Sequence, residues 1–173
     1  MRKAKQIQER SYKLWQSMRH RLMDRAEYEG VTMCAEWETY EGFLKWFDSN
    51  EFSNHKDELG NFYALDKDVL GGQRRLYSPE TCAFIPQQLN NMFKRKVSDL
   101  KAGVQYLSGR VKPYRAYINY NRKHIHLGYF STEDEAHSKF LEARKDCLKN
   151  FLEVHSERLD ARVVGRISEM VGE

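Results

Sequence analysis

The stretch KPYRAYINYNRKHIHLGYFSTEDEAHSKFLEARKDCL, residues 112–148, decides the fold of the C-terminal half. In PYRAYINY the side chains alternate, so Tyr114, Ala116, Ile118 and Tyr120 share one face while Arg115, Tyr117 and Asn119 share the other. HIHLGYF repeats the pattern, with Ile125 and Leu127 turned inward, His124 and His126 beside the polar row, and Asn121, Arg122 and Lys123 forming the turn between strands. Thr132 and Glu135 then make a capping box, after which Ala136, Phe140, Ala143, Cys147 and Phe151 recur at helical spacing. The expectation is a small sheet with one face covered by a helix and the other face exposed.

That exposed face offers Arg110, Lys112, Arg115, Asn119, Arg122, Lys123, His124 and His126 as hydrogen-bonding groups, with Tyr117 as a flat contact. Such groups suit phosphates and base edges, and a β-ribbon fits the major groove of DNA. Double-stranded DNA is therefore the expected partner; the deep, narrow groove of A-form RNA suits this face less well. The segment resembles the APETALA2-type DNA-binding domain. The matching residues are the opening Gly103 and Val104, the pair Ala116 and Ile118, the turn Leu127, Gly128 and Phe130, and the helix start Thr132, Glu135 and Ala136. The resemblance implies a three-stranded sheet lying in the major groove, with Arg115, Tyr117, Asn119, His124 and His126 facing the bases. Plant members of that family carry mostly Arg, Trp and Glu at these places, so their site preference does not transfer.

Charge is segregated along the chain. The net charge is only +4, yet residues 1–25 carry eight Lys or Arg against two acids, residues 26–70 three against eleven, and residues 87–127 nine against one. Basic regions set apart from an acidic one fit a protein of which some surfaces meet a polyanion. Aromatic content of 13% and apolar content of 40% exclude wholesale disorder. No apolar run approaches the roughly 18 residues of a membrane span, and the start, MRKAKQIQER, lacks a signal-peptide core, so a cytoplasmic protein that does not enter membranes is expected. Cys34, Cys82 and Cys147 stand far apart without a C-x-x-C pair, which points to free structural thiols.

Outward from the sheet, residues 4–28 read as a helix with an apolar stripe of Tyr12, Leu14, Trp15, Met18 and Leu22. Trp37, Tyr40, Phe43, Leu44 and Phe47 predict a second helix from Ala35 to Phe47, its aromatic stripe assigned to packing. Asp48 to Gly60 is polar and reads as a loop. Residues 152–173 continue as a charged helical tail whose weak apolar set, Leu159, Val163, Ile167 and Val171, permits a dimer contact without requiring one.

Between these lies the region that could carry chemistry. FYALDKDVL reads as a strand ending in acids, GGQRRLYSPET as a long turn, CAFIP as a second strand and PQQLNNMFKRK as a helix starting near Pro86. Strand, loop, strand and helix is the order of a ββα-metal nuclease site, and Asp66 and Asn90 are hard oxygen donors suited to one Mg²⁺ or Mn²⁺ ion. The same residue types also fit turn and cap positions in an ordinary α+β domain.

Here the chain resembles the HNH endonucleases, in particular phage-encoded homing-type members that join this site to an APETALA2-type domain. The resemblance implies that Asp66 and Asn90 are metal ligands and that Asp66, Lys67 and Asn90 are the catalytic set. Lys67 stands where the family has its histidine base, and Thr81 stands for the middle Asn that orients the catalytic loop. Lysine, with an ordinary pKa near 10.4, is a poor base beside Asp66 and Asp68, but suits a phosphate or a developing negative charge. His55 is the candidate replacement base and Asp68 a candidate second ligand.

The expectation is thus an α+β chain in four parts: an N-terminal helical region (1–50), an HNH-like ββα-metal motif (51–100), an APETALA2-type domain of three strands and one helix (101–151), and a helical tail (152–173). Its expected activity is metal-dependent, sequence-selective cleavage of double-stranded DNA. A DNA-binding repressor or accessory factor that has lost cleavage is the alternative. Basic residues of the first helix and Lys94, Arg95 and Lys96 are expected to hold phosphates on either side of the site.

Overall fold

The computed structural model describes residues 2–25, 28–94 and 99–172. It is a mixed α+β chain divided into two compact units, 1–90 and 91–173. The division falls within a helix, whereas the sequence places the change of character near Asp99 to Gly103. Arg95 and Lys96, expected to hold phosphate, lie outside the described residues. No described helix is long and apolar enough to cross a membrane.

In the first unit, α1 (Arg2–Asp24) precedes β1 (Thr32–Met33), α2 (Tyr40–Ser49), β2 (Ala64–Asp66), α3 (Asp68–Gly71), β3 (Leu76–Tyr77) and β4 (Ala83–Ile85). The helix expected from Ala35 breaks in two, a short 3₁₀ turn over Ala35–Trp37 and then α2. Thr39 causes the break by capping α2, its side chain accepting the Gly42 N–H. Gly42 is needed there because a Cβ would sit 1.7 Å from the Glu36 carbonyl oxygen. The predicted aromatic stripe is core: Trp37, Phe43 and Phe47 are fully buried, and Trp46 stacks on Phe84 of β4 at 5.3 Å.

Residues 48–60 are more ordered than their polarity suggests. A 3₁₀ turn over Glu51–Asn54 buries Phe52 and Ser53, and the half-buried Arg10 of α1 donates to the carbonyls of Ser53 and, at 2.8 Å, Tyr63. The Arg10 guanidinium also lies 4.5 Å from the Phe62 ring centre, and burial lowers its pKa to about 10. It is therefore an internal clamp and not one of the phosphate contacts expected along α1.

Two small sheets frame the unit. β1 pairs in parallel with β3, and β2 pairs antiparallel with β4 so that Asp66 stands opposite Ala83. α4 (Gln87–Phe93) starts directly after β4 and Pro86. The strand expected through residue 70 stops at Asp66, because the Asp66 carboxylate accepts the N–H groups of Asp68 (3.1 Å) and Val69 (2.8 Å) and starts α3.

In the second unit β5 (Val104–Tyr106), β6 (Tyr114–Tyr120) and β7 (Lys123–Phe130) form an antiparallel sheet in the order β5-β6-β7. α5 (Glu133–His155) covers its inner face, beginning at the capping box of Thr132 and Glu135. Val104, Ala116 and Ala136 form the buried seam, flanked by Tyr114, Leu127 and Phe130. Gly103 has φ +76° and faces the Phe140 ring so closely that a Cβ would be 2.1 Å from it. The three cysteines are free, as read.

The tail is folded onto this unit. α6 (Ala161–Val171) buries Val163, Ile167 and Val171, and α5 and α6 pack together. The apolar set that the sequence leaves open to a dimer contact is thus covered within the chain, and Asp160, which accepts the Arg162 N–H, caps the helix that carries it.

Candidate nucleic-acid interface and ββα site

The register of β6 on β7 sets the outer face of the sheet. Arg115 stands opposite Tyr129, Tyr117 opposite His126 and Asn119 opposite His124, while β5 places Gln105 opposite Arg115. Between Ala116 and Tyr117 the register slips by one, leaving Leu127 as an extra residue on β7. This bulge reverses the alternation beyond it. Tyr129 is thereby moved to the outer row and Phe130 to the inner seam, which strict alternation from His124 would have assigned the other way. Gly128, with φ +129° at this irregularity, is the sequence signal: a glycine inside a strand marks a bulge.

Of the residues expected on the face, Arg115, Tyr117, Asn119, His124 and His126 share the outer row. Arg110, in the loop before β6, reaches it with its guanidinium 4.7 Å from the Tyr129 ring centre. Lys112 is exposed in the same loop. Asn121 and Arg122 make a two-residue turn, both with positive φ (50° and 62°). That leaves Lys123 paired with Tyr120, on the row that alternation gives to the inner face. Gln105 and Tyr129 join the face although alternation in β6 and β7 did not point to them.

The row is cross-linked. Arg115 Nε donates to His126 Nδ1 at 3.3 Å, its Nη2 lies 3.0 Å from His124 Nε2, and His124 Nδ1 lies 2.8 Å from Asn119 Oδ1. The Tyr117 ring is 4.8 Å from His124 and the Tyr129 ring 4.7 Å from His126. From Val104 to Phe130 the sequence contains no Asp or Glu, so nothing on the sheet itself neutralises these cations.

The ββα site of the first unit has a different character. Asp66 is 6% exposed and caps α3 with one oxygen, leaving the other outside those bonds. Burial raises its pKa to about 6, with the Asp68 charge adding to the rise and the two amides and Lys67 opposing it. Lys67, at the foot of α3, pairs with Asp68 at 2.7 Å, and its ammonium lies 5.8 Å from the Tyr28 ring centre and 5.7 Å from that of Tyr77. Asp68 therefore does not extend the strand as a second ligand beside Asp66.

Thr81 is fully buried and ties the loop between β3 and β4: its hydroxyl donates to the Leu76 carbonyl at 2.7 Å and accepts the Ser78 N–H at 3.1 Å. Asn90 is half-buried in α4, its N–H bonded to the Pro86 carbonyl at 3.0 Å, and no hydrogen bond joins its side chain to Asp66. His55 donates from Nδ1 to the Glu51 carbonyl at 2.8 Å, and its own carbonyl accepts from Tyr63. The His55 ring lies 5.1 Å from that of Phe52 and 5.8 Å from that of Tyr63, which places it among these aromatics.

Among the described residues no group of three or more His, Cys, Asp or Glu side chains is placed to hold a metal ion. What the unit offers is a single buried carboxylate with one oxygen uncommitted to the cap, and an amide on the following helix. Both are oxygen donors of the hard class that Mg²⁺ takes. Comparison with protein-family models, curated proteins and solved structures finds no match to this chain.

Proposed function

We propose that this chain is a sequence-selective, double-stranded-DNA endonuclease of the HNH type, with the three-stranded sheet as its reading surface. The observation that carries the DNA assignment is the outer row of the sheet: Gln105, Arg115, Tyr117, Asn119, His124, His126 and Tyr129 lie side by side on a segment without a carboxylate. Planar and forked donors in a row suit base edges in the major groove, while Arg110, Lys112 and Arg122 at the ends of the strands suit phosphates. The resemblance to the APETALA2-type domain supports the same reading, and a place of action in the cytoplasm belongs to the same proposal.

Cleavage is supported by the pairing of β2 with β4, the start of α4 directly after β4, and the buried, partly committed carboxylate at the end of β2. Asp66 and Asn90 would hold one Mg²⁺ or Mn²⁺ ion. Bound there, the ion would supply an acidified water and offset the charge on the scissile phosphate. Asp66 would be kept in place by its bonds to the α3 amides, and Thr81 would hold the β3–β4 loop. Lys67 would bind phosphate after exchanging its Asp68 partner, since an ammonium in an ion pair cannot take a proton from water.

A second reading, a DNA-binding protein that no longer cleaves, is favoured by one specific observation: Asp66 and Lys67 already have intramolecular partners, a helix cap and an ion pair. Incubation of supercoiled DNA with the protein and Mg²⁺ or Mn²⁺ separates the two, with Asp66→Asn, Asn90→Ala and Lys67→Ala in parallel. Asp66→Asn keeps a cap acceptor. Metal-dependent nicking that is lost in the Asp66 and Asn90 variants is expected; DNA binding with no cleavage on any substrate would leave the second reading.

A further inference from the structure

The cross-linked row on the sheet has a direction fixed by chemistry. A guanidinium can only donate. His124 Nε2 and His126 Nδ1, 3.0 Å and 3.3 Å from the Arg115 nitrogens, must therefore both be acceptors and carry no proton. The proton of neutral His124 then sits on Nδ1 and is donated to Asn119 Oδ1, 2.8 Å away. Arg115 uses its Nε and Nη2 edge in these bonds and keeps its Nη1 and Nη2 end edge for a ligand.

The arrangement fails if either ring takes up a second proton. An N–H would then face an N–H, and two cations would stand about 3 Å apart with no anion to balance them. The charged and titratable groups facing the two rings are Arg115 and Tyr117 of β6, Tyr129 of β7, and Arg110 over Tyr129; β5 contributes the neutral Gln105. None of these carries a negative charge at neutral pH to balance an imidazolium.

We propose that His124 and His126 are positioning residues for sequence reading: as neutral imidazoles they fix the Arg115 guanidinium for a two-bond contact with a base edge, and on protonation they release it. This rests on the DNA-reading proposal above and adds a sign to it. Protonation of either ring adds positive charge to the face, so general affinity for DNA is kept or raised, while discrimination between sequences is lost. The two quantities move apart, which a general loss of folding would not produce.

The test begins with selection of preferred sites from a random-sequence duplex pool by the full chain at pH 8 in EDTA. Dissociation constants for a selected and a scrambled duplex are then measured at pH 8.0 and 5.5 at one ionic strength. The selected-to-scrambled ratio should fall roughly tenfold at pH 5.5, a good bidentate base contact being worth about 1–3 kcal/mol, with scrambled-duplex binding no weaker. The His124→Gln/His126→Gln double variant retains acceptors that do not titrate and should keep the same ratio at both values. A wild-type ratio unchanged by pH would overturn the proposal whether or not the variant folds, as would a double variant as acid-sensitive as the wild type. Absence of any selected site at pH 8 would instead overturn the DNA reading on which it rests.

Discussion

The two units use polar side chains in opposite ways. In the first, Arg10, Asp66, Lys67 and Thr81 are committed inward, to the Ser53 and Tyr63 carbonyls, the α3 amides, Asp68 and the β3–β4 loop. In the second, Arg115, Asn119, His124 and His126 bind one another along an exposed sheet, leaving an arginine edge outward on a segment, Val104 to Phe130, without an acid. Buried polar groups must find partners or destabilise the fold, so their contacts first explain architecture. An exposed polar network built around an arginine, with no acid on its own strands, has no such structural need, which makes it the stronger pointer to a ligand.

The most disruptive way to test the inward half is Arg10→Ala. It removes charge-assisted bonds to two carbonyls and should destabilise the first unit by about 3 kcal/mol. Tryptophan fluorescence during denaturant unfolding measures this unit alone, since Trp15, Trp37 and Trp46 all lie in it. An Arg10 serving DNA phosphate would instead leave the midpoint unchanged and weaken binding.

Asp66 gives the next effect. Its folded pKa of about 6 lies above the unfolded value near 3.9, so its contribution favours folding fully below pH 3.9 and is lost as pH rises through 6. In EDTA, the first unit should therefore be more stable at pH 5 than at pH 7 by an amount on the order of 1–2 kcal/mol from this group, and Asp66→Asn should remove that increment. If Mg²⁺ binds ionised Asp66, adding it at pH 7 should raise the unfolding midpoint of the wild type and not of Asp66→Asn.

The smallest effect sharpens the outward half. Arg122 occupies the second position of a two-residue hairpin turn at φ 62°, where glycine is preferred. Arg122→Gly should stabilise the hairpin by about 1 kcal/mol in thermal unfolding followed by circular dichroism. The same variant should bind all DNA sequences more weakly and lower the salt slope by about one. Stabilisation without any change in binding would remove Arg122 from the interface.

The contrast between the units also explains what could be read in the sequence. The β6–β7 hairpin and the helix behind it are legible because alternation and the Thr132–Glu135 capping box are local signals, whereas the third strand, β5, is implied only by the resemblance. Tyr129 is hidden from simple alternation because one extra residue at Leu127 reverses parity, and Lys123 falls in β7 and not in the turn because the turn closes with two residues at positive φ. In the first unit the aromatic stripe marked the core correctly. The break before Thr39, the clamp by Arg10 and the stop of β2 at Asp66 depend on contacts between distant or capping groups, which periodicity does not encode. The tail reads as weakly apolar because four residues at helical spacing suffice when a neighbouring helix supplies the other half of the contact.

Whether the outer sheet face reads duplex DNA is decided by discrimination between a selected and a scrambled duplex, measured for Arg115→Ala beside the wild type at pH 8 in EDTA. A wild-type preference for the selected duplex is expected to fall roughly tenfold or more in the variant, with scrambled binding weakened far less. Equal binding of both duplexes by the wild type, or a preference untouched in Arg115→Ala, would contradict a DNA-reading role for this face.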